Sequence, residues 1–276
     1  MDTISFQDLE RFRRLHLNIN RSCSANEGTR RSAMKGRSAE FSGYREYIPG
    51  DDMRYVDWNA YARLDRLYIK EFMEEREGSV EIFLDTSKSM DFGRRLKSTM
   101  MAELTGIISY IATNNRDSVY ITDMNDVSGR VRIPSGRTGI IRLKALLEGM
   151  DIRDKVDISG SIRRGKISRG SMVFIISDFM DEGFLDSLDE TLSYLRYKSS
   201  DACLIQVLSG EEMNVEDSGA YQFVDSEDVS SEIKLTIDRR VLADYKKALD
   251  NYTRSISRVA QKNGARYILC STEEDR

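Results

Sequence analysis

Between Val80 and Met90 the chain reads V-E-I-F-L-D-T-S-K-S-M, an apolar run to Leu84 followed at once by Asp85, Ser87 and Ser89. A carboxylate and two hydroxyls on alternate residues can turn towards one point, and magnesium and manganese prefer such hard oxygen donors. The same residue types also build strand-to-helix turns and N-caps, because they hydrogen-bond their own backbone. Two readings therefore stand for this stretch, half of a divalent-cation site or a capped turn. A second acid occupies a similar place. Met172 to Asp178, M-V-F-I-I-S-D, is a continuous apolar run ending in aspartate. Two aspartates at neighbouring strand ends repel unless a cation or protons lie between them. The alternative for Asp178 is a cap on the following helix, and with both motifs in hand the cation site is the preferred reading.

The elements that must position these residues are legible as alternating strands and helices. After Asp85 comes an amphipathic helix from about Lys97 to Thr113, with Met100, Met101, Leu104, Ile107, Ile108 and Ile111 at helical spacing. Ser118–Met124 and Gly129–Ile133 read as a hairpin across a polar N-D-V-S loop. A helix follows with Ile140, Ile141, Leu143, Leu146 and Leu147, and a charged stretch then runs to Gly170. Beyond Asp178 a helix carries Leu185, Leu188, Leu192 and Leu195, and Ala202–Leu208 is a strand. Glu211 to Glu232 holds eight acids and no base, an exposed excursion with short strands at Tyr221–Val224 and Ile233–Ile237. A last helix through Val241 to Val259, stopped at Gly264, leads to a closing strand, Ala265–Cys270. Strands alternating with helices predict an α/β fold with a doubly wound sheet.

Composition excludes several alternatives. The 276 residues carry a net charge of -4, with 40% hydrophobic and 32% charged residues, which suggests no wholesale nucleic-acid binding. His16 is the only histidine and has no carboxylate or thiol near it in sequence, which removes most Ser-His and Cys-His schemes. Cys23, Cys203 and Cys270 are too few and too scattered for a disulfide framework or a zinc ribbon, and the last two sit in apolar runs as core residues. There is no glycine-rich phosphate loop and no G-x-S-x-G elbow. No run approaches the roughly 18 apolar residues that span a bilayer. The N-terminus also lacks the apolar core of a signal peptide, so a cytoplasmic location is expected.

Ahead of the metal motif lie two further segments. Residues 1–40 form an amphipathic stretch (Ile4, Phe6, Leu9, Phe12, Leu15) and then a basic arm, with eight Lys or Arg and one acid, Glu27, between Arg11 and Arg37. Residues 41–79 are dense in aromatics and paired charges, including Arg45, Tyr47, Gly50, Asp51, Arg54, Asp57, Trp58 and Arg63. Read structurally, the arginines pair with Asp51, Asp57 and aromatic faces in a half-buried network that docks this segment onto the main domain. Read functionally, Tyr, Trp and Arg are the residue types of recognition hot spots. The structural role is preferred, because buried charges need pairing and this segment supplies the pairs.

Asp85-Thr-Ser-Lys-Ser-Met90, directly after its strand, resembles the metal-ion-dependent adhesion site of von Willebrand factor A domains. R-E-Y-I-P-G-D-D-M-R-Y-V-D-W-N-A-Y-A-R, from Arg45 to Arg63, resembles the signature of the bacterial family called domain of unknown function 58. The first resemblance implies a Rossmann-like sheet over 80–276, with one magnesium or manganese ion at its carboxyl edge. It assigns Asp85, Ser87 and Ser89 to the first metal loop, Asp178 to the fourth strand end, and Thr138 to a further ligand. The family pattern often has two glycines before that threonine. Here Gly136 and Arg137 precede it, so Ser135 is the other candidate. The resemblances together imply a protein-interaction module whose cation keeps an open position for a partner's carboxylate, acting as adaptor or chaperone-like cofactor of a MoxR-type AAA+ ATPase, and not an enzyme. The alternative is a magnesium-dependent phosphoester hydrolase using Asp85 and Asp178.

Overall fold

The computed structural model describes residues 6–17, 39–74, 78–152, 155–181, 183–213, 219–224, 232–237 and 239–273. The chain divides into two compact units, Ser22–Glu77 and the remainder. The basic arm from residue 18 onward, Ile4 and Cys23 lie outside the described residues.

The smaller unit is built on two antiparallel strands, β1 (Ala39–Glu46) and β2 (Tyr68–Glu74), paired from Ala39↔Glu74 to Glu46↔Tyr68. The connection holds a 3-10 turn, Met53–Tyr55, and a two-turn helix, α2 (Trp58–Leu64). In the larger unit a short helix, α1 (Phe6–Glu10), precedes a six-stranded sheet and its helices. The strands are β3 (Ser79–Leu84), β4 (Ser118–Asp123), β5 (Asp126–Ile133), β6 (Met172–Ser177), β7 (Asp201–Leu208) and β10 (Arg266–Ser271). The order is β10-β7-β6-β3-β4-β5, with every neighbour parallel except the β4–β5 edge pair.

The chain moves outward from β3 through β4 to β5 and then crosses to β6 on the other flank, which is the switch-point order of doubly wound sheets. This is the expected von Willebrand factor A-type arrangement. The helices are α3 (Lys97–Asn114), α4 (Arg137–Glu148), α5 (Ile158–Arg164), α6 (Phe184–Tyr197), α7 (Gly210–Met213) and α8 (Arg239–Lys262), and a separate pair of strands, β8 (Gly219–Val224) and β9 (Glu232–Ile237), precedes α8.

The core forms two clusters. One gathers Val80, Ile82 and Leu84 with Met101, Ile108, Ile121, Leu143 and Ile205. The other gathers Phe83, Val173 and Ile175 with Ile158, Ile162, Leu188, Leu192 and Ile256. Successive β3 residues thus enter opposite clusters, as the period of a strand requires, and the continuous apolar runs of β3 and β6 are those of strands covered on both faces. Cys203 is buried in the first cluster, where burial pushes its thiol up to about 11, and Cys270 packs against it half-buried.

Two local readings change. Three residues of the N-D-V-S stretch are strand rather than loop: β5 begins at Asp126, opposite Asp123, leaving only Met124 and Asn125 to turn. An edge strand with a solvent-facing side tolerates the polar residues that look like a loop. The charged stretch before Gly170 contains α5, a short helix capped by Asp157, whose carboxylate accepts from the Gly160 amide at 2.7 Å.

Candidate functional site

Asp85 and Asp178 stand at the carboxyl ends of adjacent strands, on the two sides of the switch point. The Asp85 amide donates to Ile176 O at 3.1 Å, so the parallel ladder itself fixes the position of the acid. The Asp85 side chain receives the Ser87 amide on Oδ1 at 2.9 Å and the Ser177 hydroxyl on Oδ2, and the Ser87 and Ser89 hydroxyls lie 2.9 Å apart. The expected first loop is therefore assembled. Burial, and then the nearby Asp178 charge, raise the Asp85 pKa above the usual carboxylate range, while bonds from Ser177 and Ser87 oppose the rise.

Asp178 is held as closely. Its Oδ1 accepts the Met180 amide at 3.0 Å, and its backbone carbonyl accepts Gln206 Nε2 at 2.7 Å. Gln206, fully buried on β7, is in turn bonded by Tyr267 OH at 2.6 Å. The next residue, Phe179, adopts a left-handed backbone with φ of 56°, a region that non-glycine residues visit rarely. Three interactions hold it there. Its amide donates to Ser177 Oγ, its carbonyl accepts Tyr252 OH, and its ring stacks on Phe184. Ser177 thus joins the two acidic loops through one hydroxyl.

A residue that sequence reasoning passed over completes the cluster. Lys97, the first residue of α3, is 1% exposed, and its Nζ lies 2.7 Å from Asp178 Oδ2 and 2.8 Å from Glu212 Oε1. Burial works against its charge, but the two carboxylates outweigh it and raise the Lys97 pKa. Glu212 belongs to α7, just beyond β7, and its other oxygen accepts the Ser209 amide. The signal available in sequence was a lysine opening a helix, where the macrodipole disfavours a cation unless a partner holds it. An ammonium thus lies between Asp178 and Glu212, acids from two loops, rather than between Asp178 and Asp85.

Thr138 is not part of this cluster. β5 runs antiparallel, from Asp126 beside Asp123 to Ile133 beside Val119, and so returns the chain to the amino edge of the sheet. Thr138 is exposed in the first turn of α4 that follows, and Ser135 is exposed just before it. Gly136 and Gly139 line a cavity of about 300 Å3 with Thr113 and Asn114, at the far end of α3 from Lys97. A helix of that length separates the two places by roughly 25 Å. The family threonine was transferred across an antiparallel strand that reverses the direction of the chain.

Thr86, between Asp85 and Ser87 in sequence, turns to the end of β4, donating to Asp123 Oδ1 at 2.6 Å and accepting from Asn125 Nδ2 at 2.8 Å. His16 is exposed, on the segment after α1. Among the described residues no three carboxylate, imidazole or thiol groups converge as a metal cage. Asp85, Ser87 and Ser89 nonetheless fit a hard cation by donor type, and the Lys97 ammonium shows that positive charge is accommodated against Asp178.

The signature residues of the smaller unit are paired in part as expected, through Arg45 and Asp51, and in part differently. Arg45 grips Asp51 with both terminal nitrogens, at 2.6 and 2.8 Å, and Arg54 pairs with Asp52 rather than Asp57. Pro49 and Gly50 occupy the centre of a turn closed by Asp51 N to Ile48 O at 3.0 Å, and Gly50 has the positive φ, 106°, that its position requires. Asp57 caps α2 through the Asn59 and Ala60 amides, and receives Tyr44 OH at 2.8 Å and Lys70 Nζ at 3.3 Å. Its short side chain is committed to its own helix and to the two strands, which leaves the arginines other partners. The Tyr47 amide donates to Leu67 O. Arg63 is exposed, and Trp58, 57% exposed, meets Tyr61 edge to face.

Residues 43–254 match the family model described as "Protein of unknown function DUF58". The chain belongs to this family. An uncharacterized protein of Mycobacterium tuberculosis is 24% identical over 257 residues, covering 87% of this chain and 77% of its own. Among solved structures, an aerotolerance-related membrane protein from Bacteroides fragilis is 14% identical, covers 71% of this chain and 92% of its own, with a TM-score of 0.41. The SpRpn10 von Willebrand factor A domain is 7% identical, with 72% and 91% covered and a TM-score of 0.40.

The cytoplasmic location expected from the sequence is withdrawn: one similar chain is described as a membrane protein, which is a property of that chain. Among the described residues of this DUF58 chain no helix is long and apolar enough to cross a membrane, but a domain without a span does not define its compartment.

Proposed function

We propose that this DUF58 protein is a divalent-cation-dependent protein–protein interaction module, serving as adaptor or chaperone-like cofactor of a MoxR-type AAA+ ATPase. The coarse part of this reading, an interaction module, follows the von Willebrand factor A-like fold, and the ATPase partner rests on the family resemblance alone. The observation that supports cation dependence is the gathering of Asp85, Ser87 and Ser89 beside Asp178 at the switch point. Asp85 and Asp178 would leave a bound magnesium or manganese ion close to neutral, and the hydroxyls of Ser87 and Ser89 add no charge. One further carboxylate, from a partner, could then be accepted without strong repulsion.

The test is capture of purified ATPase by the immobilised protein, with magnesium and with chelator. Capture should require the metal and disappear in Asp85→Ala and Ser87→Ala, with circular dichroism unchanged. Capture that survives chelator and both substitutions would remove the cation from the mechanism. The same variants test the hydrolase alternative, which requires metal-dependent phosphoester turnover lost in Asp85→Ala.

A further inference from the structure

We infer that Lys97 is the resident cation of this site and that a divalent ion binding there takes Asp178 from it, releasing α7. The inference rests on the cation reading proposed above and adds to it a moving part. Three observations carry it.

First, the ammonium is 2.7 Å from Asp178 Oδ2, while Oδ1 is engaged by the Met180 amide. Both Asp178 oxygens therefore already have a partner, and Lys97 holds one of them. Second, the same ammonium is 2.8 Å from Glu212, so one buried charge joins the strand end of β6 to α7. Third, α7 is a single turn, and the Lys97–Glu212 contact is one of several that hold it, together with Gly210 N to Thr272 Oγ1 at 3.3 Å and the Arg94–Glu211 ion pair at 3.7 Å. Glu211 accepts the Arg94 amide at 2.9 Å, Tyr245 OH donates to Glu212 O at 3.0 Å, and Gly93 approaches so closely that a Cβ there would lie 2.8 Å from the Ser209 Cβ.

A metal and an ammonium cannot share one carboxylate oxygen without repulsion at short range. A lysine that loses one of two buried carboxylates must follow the other, Glu212, or leave the pocket for water. Either movement loosens the contact between α7 and the Asp178 loop. By the reciprocity of linked equilibria, a partner that draws α7 away would favour the metal over the lysine.

Hydrogen–deuterium exchange with and without manganese, alongside calorimetric titration, tests this on the full chain. In wild type, saturating manganese should speed exchange across Ser209–Met213. Lys97→Met should bind manganese at least tenfold tighter, with fast exchange in that segment regardless of metal. Manganese binding in wild type with unchanged exchange at Ser209–Met213 overturns the coupling while leaving the cation site standing. No manganese binding in wild type overturns the cation reading and the coupling with it. The wild-type comparison decides the matter even where Lys97→Met does not fold.

Discussion

At the scale of single residues, Asp57 and Lys97 show the difference between finding a functional type and finding its partner. Asp57 was legible as a member of a charged network, but its partners are Tyr44, Lys70 and two amides of α2 rather than the arginines. The Tyr44 hydroxyl and the Ala60 amide, aided by Lys70, hold its carboxyl at about 2, against an ordinary 3.8. A depressed folded pKa means that the stabilisation is complete above the unfolded value and is lost as pH falls from about 4 towards 2. Urea midpoints followed through the single tryptophan, Trp58 in the same unit, should fall over that window in wild type. Asp57→Asn should start lower and lack this component. Identical pH profiles would show that the network contributes nothing.

Lys97 was invisible for another reason: nothing in K-S-T-M-M announces that its ammonium meets acids 81 and 115 positions away in the chain. Asp85, Ser87, Ser89 and Asp178 were legible because short side chains at a strand end have little choice of direction. Long side chains choose partners that only the assembled fold brings near. Without metal, Lys97→Met should destabilise the larger unit by about 3–5 kcal/mol, the usual cost of leaving buried charge unpaired. Chemical denaturation in chelator checks this.

At the scale of elements, most strands and helices were legible from apolar period, and the exceptions have a common cause. β5 is polar and weakly periodic and α5 is short, so their assignment depends on neighbours. β3 conceals the opposite case. The run read as apolar contains Glu81, 0% exposed in the middle of the sheet. Arg130 of β5 reaches across the intervening Tyr120 ring, at 3.3 Å from its centroid, to grip both Glu81 oxygens at 2.7 and 2.9 Å, and the Ser168 amide adds a third bond. The edge strand is thereby tied to the strand that carries Asp85. Arg130→Met should leave Glu81 buried without its cation, at a cost of about 3–5 kcal/mol. An unchanged denaturation midpoint would show that water or another group satisfies the carboxylate. This network also explains how the register beneath the site is fixed, since slipping β5 by one residue would turn Arg130 to the opposite face.

At the scale of the whole molecule, the position of the site follows from topology more than from any motif. The two flanks of the sheet diverge between β3 and β6, and that divergence opens a crevice at their carboxyl ends, where Asp85 and Asp178 lie. The same topology explains why Thr138 was misplaced: the hairpin at β4–β5 reverses the chain, and the threonine was carried over from the motif without following that reversal. A ligand at this crevice binds only the folded sheet, so by linkage it should stabilise the larger unit, by about 2.7 kcal/mol when present at 100 times its dissociation constant. Far-UV circular dichroism is dominated by the larger unit, which contains most of the helices, whereas Trp58 fluorescence reads the smaller one. Magnesium should therefore raise the circular dichroism midpoint as a logarithmic function of its concentration in wild type. Asp85→Ala should abolish the dependence, and Lys97→Met should begin from a lower midpoint and gain more, because its acids have no other cation. A midpoint independent of magnesium in wild type, up to concentrations that saturate ordinary hard-cation sites, would mean that Lys97 satisfies this crevice unaided and that the divalent ion has no place in it.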